Sequence, residues 1–297
     1  MNISDYNVIF ITVDSLPYTV AKSVEGLYLN NICSLQEAET HGTYTYPSHQ
    51  SFFIGMLPRP VDQNYLYLGK YKQIWRSSLS RKSNKIVAIT FDDTNILNHY
   101  RKLGHQVLGF GGVTYFDTNS KSNSLPFLFD KFIFFGPHEK KYNLRPFPRN
   151  REWFPLLHTD RIIGEIEKEP YFLFINSNAT HVPYDNPESI IEEEDKILMN
   201  RLFLEHSSKA IHTQKNLPFT KNEHERLIDL QKKSLQWVDR KIEELLASLP
   251  RTRPTILIVC GDHGEEFGEG GRYGHAHAHR SVMRVPYWDC TLLPQVD

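Results

Sequence analysis

ILIVCGDHGEEFGEGGRYGHAHAHRSVMRVP, residues 256–286, is the stretch on which the reading of this chain turns. Five apolar residues, Ile256 to Cys260, stop abruptly at Gly261, Asp262 and His263. A short continuous apolar run fits a strand covered on both faces, as in a parallel sheet. The Asp-His pair then falls just past a strand end, where open α/β sheets place their active sites. Adjacent residues face opposite ways along a strand, but in the turn beyond it both side chains reach one metal ion. Oxygen ligands with one imidazole suit zinc or manganese better than calcium. Glycines at 261, 264, 268, 270, 271 and 274 imply a backbone that turns tightly. Glu265, Glu266 and Glu269 read as a solvated acidic loop. His277 and His279 read as exposed, and an HxHxH run also binds metal adventitiously.

Working outward, three further apolar runs resemble the first: 7–14 (NVIFITVD), 86–91 (IVAITF) and 171–176 (YFLFIN). Polar or glycine residues follow each, and helical patterns lie between them, which predicts a doubly wound α/β fold. The clearest helix is 221–249. Thr220 and Glu223 have the spacing of a capping box. Leu227, Leu230, Leu235, Val238, Ile242, Leu245 and Leu249 form one apolar stripe that packs on a sheet, and Pro250 ends it. Residues 94–103 read as a second helix with Gly104 as its C-terminal cap. The 115–160 stretch is rich in Phe, Pro and basic residues, among them Lys140, Lys141, Arg145, Arg149 and Arg151. It reads as a solvated loop or subdomain, with a lid over an anionic substrate as the sharper alternative. With no repeat, low-complexity tract or clear linker, residues 1–297 are expected to form one catalytic domain.

Bulk composition excludes several classes. The chain has 297 residues, 40% hydrophobic and 23% charged, with a net charge of −1. That is ordinary for a globular protein with a real core, and no global basic field points to nucleic acid or an anionic membrane. No apolar run approaches a membrane span and no signal peptide is recognised, so a cytoplasmic location is expected. Three cysteines, Cys33, Cys260 and Cys290, cannot all pair, and Cys260, inside a strand, reads as a buried inert thiol.

Three other segments carry candidate chemistry. Asp14 ends the first strand, where it serves equally as a helix cap or as a ligand. In TYTYPSHQSFFIG, residues 43–55, Pro47 pushes Tyr46 out of the helical region and opens a helix. Thr45 then sits just before a helix N-terminus, either as a simple cap or as an oxygen that the helix dipole activates. His181, in NSNATHVPYD (176–185), lies in a loop directly after a strand. A lone loop histidine is more often a surface residue, and only its place beyond a strand end makes it a candidate.

Taken in order, the four segments resemble the sulfatase-like branch of the alkaline phosphatase superfamily. The shared pattern is Val13-Asp14, then Thr45-Tyr46-Pro47-Ser48-His49 with Ser51 to Gly55, then His181-Val182-Pro183-Tyr184, then Asp262 to Glu269 with Gly274-His275 and Val285-Pro286. The resemblance implies an alkaline-phosphatase-like, mostly parallel sheet with helices on both faces and a C-terminal sub-domain largely absent. It implies that Asp14, Thr45, Asp262 and His263 hold one divalent metal ion, zinc or manganese before calcium or magnesium, with Thr45 also the nucleophile. His49, His181 and His275 would surround the transferred group, with His181 and His275 as catalytic groups.

Departures from the pattern refine this. Sulfatases proper carry a Cys or Ser that becomes formylglycine, followed by Arg; here Thr45 and His49 stand in those places. Threonine resembles the phosphodiesterases and the phosphoethanolamine or phosphoglycerol transferases, which are usually membrane-tethered. Two-zinc phosphodiesterases place Asp four residues before the loop His, where this chain has Ser177, so one metal is expected. The expected activity is phosphoester hydrolysis of a small anionic substrate through a phosphothreonine. Transfer to a small-molecule or peptide acceptor, sulfate-ester hydrolysis and a non-catalytic binding role remain as alternatives.

Overall fold

A computed structural model describes residues 2–55, 94–119, 125–137 and 148–295. In chain order its principal elements are β1 (Asn7–Val13), α1 (Tyr18–Lys22), α2 (Tyr28–Ile32), β2 (Ser34–Glu39), α3 (Thr45–Ile54), α4 (Ile96–Lys102), β3 (Gln106–Gly111) and β4 (Lys131–Phe134). Then follow α5 (Thr159–Gly164), β5 (Tyr171–Ser177), α6 (Glu193–Ser208), α7 (Lys221–Ser248), β6 (Thr255–Gly261), β7 (Glu266–Phe267), β8 (Tyr273–Gly274), α8 (Arg280–Met283) and β9 (Arg284–Leu292). The predicted strand at 86–91 lies outside the described residues.

Among the described residues, seven strands form one sheet in the order β2-β9-β6-β1-β5-β3-β4. Neighbouring pairs are parallel except those made by β9, which runs antiparallel to both β6 and β2. The expected mostly parallel α/β sheet is therefore observed. The apolar runs read from sequence are its centre: β1 and β5 are buried along nearly their whole length. Alternate residues of β1 feed two cores. Ile9, Ile11 and Val13 pack with α1, α2, α5 and α7, while Val8 and Phe10 pack with Phe53 of α3 and Leu97 and Tyr100 of α4. The period of two along a strand thus puts helices on both faces.

The stripe on α7 is buried as its spacing predicts, from Leu227 through Leu245, and Leu249 follows just past the helix. The Thr220–Glu223 capping box is formed. A fully buried Leu contributes about 1.5–3 kcal/mol, so this stripe anchors α7 firmly against the sheet. The helix also docks α2, because Asp239 accepts from the backbone N–H groups of Tyr28 and Leu29 at 2.6 and 3.0 Å. A carboxylate at a helix N-terminus satisfies otherwise orphaned donors. Asn95 caps α4 and Gly104 follows it at φ +94°, as expected for that helix.

Two expectations are corrected. The described part of 115–160 is not a solvated loop: β4 extends the sheet, and Phe116, Leu125, Leu128, Phe154 and Leu156 are buried. Its Phe and Pro content reflects core packing. Lys140, Lys141 and Arg145 lie outside the described residues, whereas Arg149 turns inward. The second correction is local. Tyr46 is helical despite preceding Pro47, and Thr45 is the first residue of α3, not the residue before it. Two of the three cysteines, Cys33 and Cys290, form a disulfide between the start of β2 and β9, and Cys260 remains a buried free thiol. Among the described residues, no helix is long and apolar enough to cross a membrane.

Candidate active site

Sheet register assembles the site. Val13 of β1 is level with Ser177 of β5 on one side and with Gly261 of β6 on the other. The next residues, Asp14 and Asp262, therefore emerge together at the carboxyl edge, the usual ligand position in such sheets. Ser15 makes the turn after β1 at φ +60°, a conformation unusual for a non-glycine residue. Gln231 of α7 supports it, donating to Ser15 O at 2.8 Å and to Thr180 O at 3.0 Å, which ties the loops after β1 and β5 together.

Asp14, Asp262 and His263 are fully buried, and each offers a ligand atom within 4.8 Å of the others. His263 Nε2 lies 3.2 Å from Asp14 Oδ1 and 3.7 Å from Asp262 Oδ2. Its Nδ1 donates to Gly264 O at 2.9 Å, so Nε2 is the nitrogen that faces the carboxylates, as an N–H when the ring is protonated and as a ligand lone pair when it is neutral. Asp262 Oδ1 accepts from the N–H groups of Ser15 and His263, while Asp262 Oδ2 and Asp14 Oδ2 are buried with no hydrogen-bond partner. Thr45 Oγ1 lies 3.4 Å from both Asp14 Oδ1 and His263 Nε2. α3 begins here without a side-chain cap, so its N-terminal end stays free to face an anion.

The electrostatics fit a cation. Burial alone raises the Asp14 carboxyl, yet the charge of His181 and the hydrogen bond and charge of His263 hold it well below the usual range. Burial, reinforced by the charge of Asp14, pushes Asp262 up to about 7. Burial opposes protonation of His263, but the Asp262 charge and the Asp14 hydrogen bond push it up to about 9. Without a metal, the pair of carboxylates borrows a proton on His263. Two buried carboxylates with orphaned oxygens, one imidazole lone pair and one hydroxyl form a donor set suited to a divalent ion. The residues present therefore fit the metal that the resemblance implies.

The histidines divide. His275 follows β8, between Gly274 at φ +96° and Ala276 at φ +68°. Its ring lies 4.4 Å from those of His263 and His206 and 5.2 Å from that of His181, centre to centre. His181 donates from Nδ1 to Val182 O at 2.7 Å and so presents Nε2. These two flank the Asp14–Asp262–His263 cluster.

His49 is placed differently from its expected substrate-binding role. It is fully buried among Phe52, Phe53, Phe116 and Phe174. Its Nδ1 donates to Thr45 O at 2.7 Å and its Nε2 accepts from Thr12 Oγ1 at 2.9 Å. Both nitrogens are committed, and burial pushes the ring down to about 4, so it stays neutral. His49 holds Thr45 from beneath and has no atom left for a substrate.

Four acidic and histidine readings also change. Glu265 and Glu266 are each only 1% exposed, and only Glu269 is solvated. His277 is buried and pairs with Glu266 at 2.5 Å, and His279 caps α8. Both act structurally, and neither is a freely exposed imidazole. His206, on α6, is a site neighbour that sequence reasoning missed. It belongs to no motif, and only the docking of α6 against β8 brings it in.

Fold and site together define a protein of the alkaline phosphatase type. The sulfatase family model matches residues 7–287, and the chain belongs to the sulfatase family. Solved structures share the fold at low identity. A Vibrio parahaemolyticus protein of the alkaline phosphatase superfamily aligns at TM-score 0.51 and 16% identity, over 98% of this chain and 62% of that one. This chain thus spans less than two thirds of that protein's length. The C-terminal periplasmic domain of phosphoethanolamine transferase EptC from Campylobacter jejuni aligns at TM-score 0.56 and 13% identity, over 97% of this chain and 79% of that one. The corresponding EptC domain from Escherichia coli, in a complex with Zn, gives 0.56 and 12%, over 98% and 75%. No curated protein matches in sequence.

Proposed function

We propose that the chain is a metal-dependent phosphoester hydrolase in which Thr45 is the nucleophile. The observation that carries this reading is the Thr45 hydroxyl, 3.4 Å from Asp14 Oδ1 and from His263 Nε2 at the open N-terminus of α3. A divalent ion on Asp14, Thr45, Asp262 and His263 would lower the pKa of that hydroxyl and balance the two carboxylates. Thr45 Oγ1 bonds to phosphorus as the ester oxygen departs, and water later cleaves the phosphothreonine. The end of α3 and the His275 ring offer N–H groups to the phosphoryl oxygens. His181, anchored through Nδ1, presents Nε2 to exchange a proton with the leaving oxygen. Threonine in place of a formylglycine precursor supports phosphoryl over sulfuryl transfer.

Release to an acceptor alcohol instead of water is the second reading. It is favoured because the Campylobacter jejuni neighbour is named a phosphoethanolamine transferase. The partner in either case is a small anionic phosphoester. The Cys33–Cys290 disulfide supports an oxidising compartment over the cytoplasm expected from sequence.

The test is an assay of zinc- and manganese-loaded protein on phosphodiester, phosphomonoester and sulfate esters, with Thr45→Ala alongside. Phosphoester turnover by the wild type, loss in the variant and a phosphoryl adduct on Thr45 by mass spectrometry are expected. Equal activity in Thr45→Ala removes the nucleophile, and turnover of sulfate esters alone overturns the transferred group.

A further inference from the structure

We infer that the chain holds a second divalent cation, on Glu265, His206 and His275, beside the Asp14–Asp262–His263 set. One ligand atom from each of the three residues lies within 4.8 Å of the others. The residues come from three separate places: the loop after β6, the last turn of α6 and the residue after β8. Such convergence does not arise from local sequence.

The unsatisfied atoms point the same way. Glu265 is 1% exposed, and both its oxygens are buried without a hydrogen-bond partner. Among the described residues its one ion-pair contact is His275 Nδ1, at 3.5 Å from Oε1. That nitrogen and His206 Nδ1 are likewise buried without hydrogen-bond partners. A buried carboxylate with no lysine or arginine beside it is costly unless a cation meets it. One carboxylate and two imidazoles form a zinc-type donor set that leaves a coordination position for water or substrate.

The backbone is shaped to allow this. A Cβ on Gly274 would come within 2.4 Å of His206 Cδ2, so only glycine lets α6 bring His206 this close to His275. Ser177, in place of an Asp, predicts one metal from sequence. Glu265 and His206, which are not the residues that position would have supplied, provide the charge and the third ligand. Since His275 lies against His263, at 4.4 Å between ring centres, the second cation would lie beside the transferred group. There it would take up charge on a phosphoryl or leaving oxygen. This role rests on the phosphoryl-transfer reading, but the existence of the site does not.

The experiment counts zinc. Protein stripped with chelator is loaded with zinc chloride, dialysed and measured by mass spectrometry of the metal, with circular dichroism as a check on folding. Two ions per chain are expected in the wild type and one each in Glu265→Gln, His206→Gln and Asp262→Asn. A single ion in the wild type overturns the inference. So does a second ion that survives both Glu265→Gln and His206→Gln, or one lost on His279→Gln, which would mark adventitious binding by the histidine run. If Asp262→Asn keeps two ions while Glu265→Gln loses one, the second site stands and the Thr45 centre fails. His206 lies on a partly exposed helix end, so its variant decides if Glu265→Gln does not fold.

Discussion

Replacing Arg149 with methionine should be among the most damaging single changes outside the active cluster. Its side chain is 12% exposed, and its partner Asp185 is 1% exposed. Arg149 Nε and its own backbone N–H both donate to the Asp185 carboxylate. Nη1 donates to Asn178 O at 2.8 Å, and Nη2 reaches Ala179 O and His181 O at 3.4 Å. The guanidinium also lies 4.7 Å over the Phe154 ring. One residue thus clamps the loop that carries His181. Removing one partner of a buried pair costs about 3–5 kcal/mol, and the carbonyl left by Nη1 adds about 1 kcal/mol. Burial already raises the Asp185 carboxyl above its usual value although Arg149 opposes this. A group with a raised folded value binds more protons folded than unfolded, so stability falls as pH rises between the two values. In Arg149→Met that decline should be steeper, and the loss relative to wild type should shrink toward acid. Urea unfolding of the wild type, both single variants and Arg149→Met/Asp185→Asn closes the cycle. We expect coupling of about 2 kcal/mol, with kcat reduced and zinc at Asp262 retained. A loss under about 1 kcal/mol, or additivity within about 0.5 kcal/mol, refutes the clamp.

Three further outcomes test the scaffold. The Cys33–Cys290 bridge closes a long loop, with a sequence separation of 257, so Cys33→Ser/Cys290→Ser should lose about 2–4 kcal/mol in chemical unfolding; an unchanged midpoint rules this out. In the native wild type no thiol should react, because Cys260 is buried. Asp195 accepts two bonds from Arg226, at 2.7 and 2.6 Å, and those bonds and the Arg226 charge lower its carboxyl despite some desolvation. Its contribution is complete above the unfolded value of about 3.9 and disappears as pH falls through the lower folded value. The stability gap between wild type and Asp195→Asn should therefore close in acid, and a gap independent of pH contradicts the pairing.

Much of the sheet was legible because its signals are local. The apolar runs that became β1, β5 and β6 are buried on both faces, and that burial is what a continuous run records. β2, with the sequence SLQEAE, has no such run because it is a largely exposed edge strand held by pairing with β9. In β3 a glycine breaks the run at 109, where a Cβ would sit 2.4 Å from the Phe132 ring. The site shows the same division. Asp14 and Asp262 announce themselves by following strands. Glu265 reads as solvated in sequence because acidic residues are seldom buried unless paired, and the fold buries it beside two histidines.

By itself the sequence determined the α/β class, the three central strands, the amphipathic α7 and the order of the chemical segments. Each rests on periodicity or on residues adjacent in the chain. Only the tertiary structure decided which of those residues meet. Parallel register brings Asp14 and Asp262 level although 248 positions apart. Packing against four aromatic rings turns His49 from a candidate ligand for substrate into a support for Thr45. Docking of α6 on β8 places His206 beside Glu265, a contact with no local energetic signature in either segment. Side-chain chemistry is written residue by residue, but charge compensation in a buried site depends on what else is buried there.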